Sequence, residues 1–101
     1  IRKYLTFRQS LSGLIIVVDI RHFFKESDLV LIDWCLETKT PVAVLLNKAD
    51  KVSKNKAKLE LQRAIKFSNN LHGEINIQLF SSKEFIGQDD LKATINEWLK
   101  I

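Results

Sequence analysis

An open α/β sheet of three parallel strands with crossover helices is predicted by three observations: two unbroken aliphatic runs, a third run that alternates, and helical periodicity between them. Leu14-Ile15-Ile16-Val17-Val18 and Val42-Ala43-Val44-Leu45-Leu46 are rich in branched side chains without a polar interruption. Strands of this kind lie inside a parallel sheet, covered on both faces. The predicted strands are Leu14 to Asp19, Val42 to Asn47 and Ile75 to Ser81. In the last of them Ile75-Asn76-Ile77-Gln78-Leu79 alternates, so one face is wetter.

Helical patterns fill the intervals. Arg2 to Ser10 reads as the tail of a helix that stops before Gly13. Leu29, Ile32 and Leu36 repeat at helical spacing in the first crossover, and Cys35 joins that stripe as a core residue. Leu61, Ala64, Ile65, Ser68 and Leu71 mark the second, with Gly73 as the expected C-cap and His72 at the helix C-terminus. Leu91, Ile95, Trp98 and Leu99 mark a final helix. Successive right-handed crossovers running in one direction place both crossover helices on one face. The other face of Leu14 to Val18 is left to the final helix alone. A further covering element is therefore expected, and with it an open outer strand edge through which the chain would self-associate.

Composition bounds the function. A chain of 101 residues, 46% hydrophobic and 28% charged, fits one globular unit. No apolar run approaches the roughly 20 residues that span a bilayer, and no signal peptide opens the chain, so a cytoplasmic protein with no membrane partner is expected. The chain begins at Ile1 and has no methionine, from which an upstream segment is expected. A lone cysteine offers neither a disulfide nor zinc spacing. The net charge of +4 favours an anionic partner, nucleic acid or a ribosomal surface ahead of an acidic protein. Lys51, Lys54, Lys56, Lys58, Arg63 and Lys66 concentrate that charge in the second crossover, relieved by Glu60. They form either a phosphate-contacting surface or a solvated helix face, with few interleaved aromatics.

Ligands of open parallel sheets bind at the carboxyl ends of the strands. The segments placed there are Asp19-Ile20-Arg21-His22, Asn47-Lys48-Ala49-Asp50 and Ser81-Ser82-Lys83. Asn47-Lys48-Ala49-Asp50 is an N-K-x-D signature directly after a strand. Guanine presents an N2 amino donor beside a protonated N1, and the Asp50 carboxylate can accept from both. Asn47 can bond the base N7 and tie neighbouring loops, while Lys48 can lie over the base face. Ser81-Ser82-Lys83, with Phe80 before it, resembles in type and position the S-A-K loop of GTPases, whose backbone N–H meets the guanine O6. Two plainer roles compete: Asp50 as a helix cap, and Ser-Ser-Lys as ordinary turn chemistry.

Along its length the chain resembles the EngB-type GTPases. The resemblance rests on Leu11 to His22, Asp28 to Trp34, Pro41 to Asp50 and Phe80 to Lys83, and Asp19-Ile20-Arg21-His22 is its most distinguishing piece. Phe23 departs from the pattern, in which proline is common. The resemblance implies the C-terminal half of a P-loop GTPase domain, with GTP or GDP as ligand, magnesium in the parent protein, and the large ribosomal subunit or its RNA as partner. Gly13, Gly73 and Gly87 are the only glycines and none precedes a lysine, so there is no P-loop, and no D-x-x-G is present either. No phosphate cradle, magnesium ligand or switch is legible, and these residues alone are expected not to hydrolyse GTP. The competing reading is a non-enzymatic, basic α/β module that binds RNA or protein.

Overall fold

The aliphatic runs form the centre of the sheet in a computed structural model, which describes residues 2–7 and 10–99, with side chains over 13–99. Strand β1 (Arg2–Phe7) precedes β2 (Ser10–Asp19), helix α1 (Glu26–Glu37), β3 (Val42–Asn47), a short 3-10 turn (Ala49–Lys51), α2 (Lys54–Ser68), β4 (Ile75–Leu79) and α3 (Gln88–Leu99). The sheet order is β1-β2-β3-β4. β2, β3 and β4 are parallel, in register from Leu14↔Val42 to Asp19↔Asn47 and from Val42↔Ile75 to Leu46↔Leu79.

Strand side chains alternate between faces, so each aliphatic run feeds two cores. Leu14, Ile16 and Val18 of β2 join Val42, Val44 and Leu46 of β3 under α1 and α2, where Ile32, Cys35, Ala57 and Ala64 are buried. Ile15, Ala43 and Leu45 face the other way, against Leu91, Ile95 and Trp98 of α3. Both crossover helices thus share one face, and Cys35 is core. At Gly13 α3 lies against the strand: a Cβ there would overlap the Trp98 ring. Substitution at Gly13 would push α3 off the sheet.

The start of the chain corrects the sequence expectation. Arg2 to Phe7 is not a helix tail but strand β1, antiparallel to β2 from Arg2↔Ile16 to Phe7↔Ser10, with a register shift between Leu5 and Thr6. The segment contains Tyr4, Thr6 and Phe7, all strand formers, and the backbone groups along the outer edge of β2 need partners that a helix cannot supply. β2 accordingly begins at Ser10 rather than Leu14. Its outer edge is paired, so the expected open edge, and the self-association argued from it, lose their premise.

Two helix and strand ends also move. β4 stops at Leu79 instead of Ser81. α2 ends at Ser68 with Asn69 as C-cap, leaving Leu71, His72 and Gly73 beyond the helix. Ser68 Oγ turns back to the Ile65 carbonyl, the local hydrogen bond through which serine competes with helix continuation. No helix among the described residues is long and apolar enough to cross a membrane.

Candidate functional site

Equal register brings the carboxyl ends of three parallel strands to one edge, and backbone hydrogen bonds fix the loops that leave it. Ile20 N–H donates to the Asn47 carbonyl at 2.9 Å, Phe80 N–H to the Leu46 carbonyl at 3.0 Å, and Ala49 N–H to the Phe80 carbonyl at 3.1 Å. Adjacent exits are therefore linked directly. Lys48 takes a left-handed conformation, φ 63 and ψ 34, uncommon for a residue with a Cβ. Buried Ala49 then starts the 3-10 turn that presents Asp50.

Asp50 is met from the neighbouring strand. Ser81, only 1% exposed, donates its hydroxyl to Asp50 Oδ1 at 2.6 Å. The same hydroxyl accepts Glu84 N–H at 3.1 Å, and the Ser81 carbonyl accepts Gln88 Nε2 at 2.9 Å. Reciprocal bonds between Ser81 and Ile86, both 2.9 Å, close the loop that carries Ser82 and Lys83. Gln78 supports its far end by donating to the Gly87 carbonyl at 2.7 Å. Gly87 has φ 86, and an added Cβ would overlap the Leu79 carbonyl, so this position requires glycine.

The Ser81 hydroxyl holds the Asp50 carboxyl below its usual range; desolvation opposes it, and the backbone N–H of Asp50 itself, then Lys51 and Lys83, lower it further. Asp50 is thus an ionised acceptor near neutral pH. A carboxylate has about four lone-pair sites, and the serine uses one. The capping role is excluded: Ser53 caps α2 by accepting Lys56 N–H at 3.1 Å.

All the sequence-predicted site residues lie on these exits. Asn47 ends β3, half-buried; Lys48 is exposed; Phe80 ties two loops through its backbone while its side chain packs against the Ile15, Ala43 and Leu45 cluster. Ser82 and Lys83 are exposed. The loop after β2 supplies what sequence reasoning left without a role. Arg21 grips Asp19 through Nε at 3.1 Å, Nη2 at 3.0 Å and its own N–H at 2.8 Å. Lys48 Nζ stands 3.8 Å from the same carboxylate. The Arg21 side chain chiefly, then its backbone N–H and charge, with Lys48, outweigh desolvation and lower Asp19 from 3.8 to about 2. An aspartate and an arginine two apart after a strand is a faint signal for such a clasp. Gln78 and Gln88 left none, because their partners are backbone carbonyls distant in sequence.

No family model matches the chain. It is 42% identical over 101 aligned residues to the "Probable GTP-binding protein EngB" of Coxiella burnetii, covering 96% of this chain and 47% of that protein. Similarity to the proteins of the same description from Colwellia psychrerythraea (39% over 98 residues, 97% of this chain, 44% of the relative) and Vibrio vulnificus (38% over 96 residues, 95% and 44%) is of the same order. The chain spans just under half the length of the curated relatives it matches.

Proposed function

We propose that this chain, a homologue of the EngB-type GTP-binding proteins over the part of them that it spans, forms the guanine-reading half of a GTP-binding domain. The observation that carries this reading is Asp50, an ionised carboxylate aimed by a buried serine from the adjacent strand exit. Two of its remaining acceptor sites match guanine N1–H and the N2 amino group, a donor pair that adenine lacks. Asn47 would meet N7. Lys48, once drawn from Asp19, would cover the base face, and the backbone of Phe80 to Lys83 would reach O6.

The residues that hold the phosphates are proposed to lie outside this chain, which has no P-loop motif. Magnesium in the parent protein would fall there too, since Asp19, the carboxylate at the neighbouring strand exit, is engaged by Arg21. Hydrolysis would then be a property of the parent and not of these residues alone, and the cytoplasm its compartment. A role in assembling the large ribosomal subunit fits the basic charge and the family, and is part of the same proposal.

The test is competition binding of GTP, ATP and XTP to the parent protein and its Asp50→Asn variant. An amide donor at that position faces the guanine N2 amino group, whereas xanthine offers an oxygen there. Preference should move from GTP toward XTP by up to about 10⁴-fold. A folded variant with an unchanged GTP-over-XTP ratio would remove the proposal.

A further inference from the structure

A second surface is assembled from segments that no sequence pattern joins. Phe23 and Phe24 follow the Asp19–His22 loop, and Phe67 lies in the last turn of α2. Phe23 and Phe24 meet edge to face, with ring centres 5.2 Å apart, and Phe24 and Phe67 lie 4.9 Å apart at 34°. The Arg63 guanidinium stands 5.8 Å from the centre of the Phe23 ring. With Lys66 and Asn70 these residues line a groove of about 400 Å³. Phe67 is 40% exposed, and the other two rings are half-buried. Phe24 adopts φ 57, an outlier for a bulky side chain, so its ring is held here at the expense of backbone comfort.

The charge of α2 is one-sided, and Arg63 and Lys66 bring it to the groove. α2 carries Lys54, Lys56, Lys58, Arg63 and Lys66 against the single carboxylate Glu60. Glu60 is buried and engaged by Arg63 and Lys56, which leaves Lys54, Lys58 and Lys66 with no ion-pair partner among the described residues. Arg63, Lys66, Phe67 and Asn70 are spaced three and four apart and share a side. Cations, an amide and the part-exposed Phe67 ring on one side are what a strand with exposed bases needs: stacking for the bases and positive charge for the phosphates. A duplex keeps its bases stacked inside and could use the charge alone. An acidic peptide would likewise leave the rings without a role.

We propose that this groove binds single-stranded nucleic acid, with a base lying against Phe67 and Phe24 and phosphates beside Arg63 and Lys66. The proposal stands independently of the guanine-site reading, because no residue is shared. The test is fluorescence anisotropy of the 101-residue chain with labelled oligouridylate of about 12 nucleotides, the matching DNA, and an RNA duplex of equal length. RNA binding ahead of DNA would identify the source, and equal binding would make the site one for either strand. The single strands should bind more tightly than the duplex, and affinity should fall with salt at about −0.7 log units per phosphate contacted. Phe67→Ala should weaken binding about five-fold or more, Phe67→Tyr should restore it, and Lys66→Ala should reduce the salt slope by about one contact. Circular dichroism checks that each variant folds. Absence of binding to either single strand, equal affinity for the duplex, unchanged affinity in folded Phe67→Ala, or displacement by polyglutamate at equal charge would each overturn the proposal.

Discussion

Asp19 and Asp50 stand at the same edge of the sheet, on neighbouring strand exits, yet their surroundings fit them for opposite uses. Asp19 is gripped by a guanidinium in a two-pronged ion pair and shares a second cation, Lys48. Most of its acceptor capacity is spent inside the protein. Asp50 is held by one neutral hydroxyl, which orients the group and leaves lone pairs for a ligand. Both carboxyls are pushed below their usual range, Asp19 mainly by the Arg21 side chain and Asp50 mainly by the Ser81 hydroxyl. A lowered pKa alone therefore does not mark a recognition residue; what matters is whether the group that lowers it also uses up the carboxylate.

The comparison breaks most visibly at Ser81. Ser81→Ala removes a buried hydroxyl that both donates to Asp50 and accepts Glu84 N–H. The expected cost is about 1 to 2 kcal/mol in chemical denaturation, with a loss of guanine preference in the parent protein, because Asp50 loses its fixed aim. Asp19→Asn should cost less, about 0.2 to 1 kcal/mol, since the Asp19 side chain is 32% exposed and its partners are more exposed still. It should also free Lys48 from its ion pair with Asp19 while leaving the Ser81–Asp50 bond intact. Equal costs for the two substitutions would mean that Ser81 has no special hold on Asp50.

Much of this edge was legible beforehand because parallel-strand physics is local. A run such as Val42 to Leu46 declares a strand buried on both faces, and the strand fixes where the next polar residues emerge. Asn47 to Asp50 therefore fell in place from composition and order. Arg2 to Phe7 did not: whether such a segment coils or extends depends on the unpaired edge of β2, a neighbour its own residues do not encode. The Phe23, Phe24 and Phe67 cluster was hidden for a related reason. Its members are separated by a full helix, a strand and most of a second helix, so the scarcity of aromatics within α2 said nothing about rings brought from elsewhere. Gly73 misled because Ser68 and Asn69, ordinary helix residues by pattern, end the helix through local hydrogen bonds.

The smallest effect is the sharpest discriminator, because acid titration can report each carboxyl separately. A group whose folded pKa is depressed contributes stability that is complete above its unfolded value and is lost as pH falls through the folded value. For Asp19 the window runs from about 4 down to about 2, so its contribution should be intact at neutral pH and fade across that interval. With a third of the side chain exposed, the stability at stake stays within the 0.2 to 1 kcal/mol of a screened surface pair, too small to locate from a melting curve alone. Carboxyl carbon shifts measured by NMR against pH avoid that problem. In the wild type Asp19 should titrate near 2 and Asp50 below its usual range. Arg21→Ala should return Asp19 toward an ordinary carboxylate and move Asp50 much less. Ser81→Ala should do the reverse, raising Asp50 and leaving Asp19 in place. If either substitution moved both groups equally, the two carboxyls would be one coupled network, and the division between an internal clasp and a base-reading acceptor would fail.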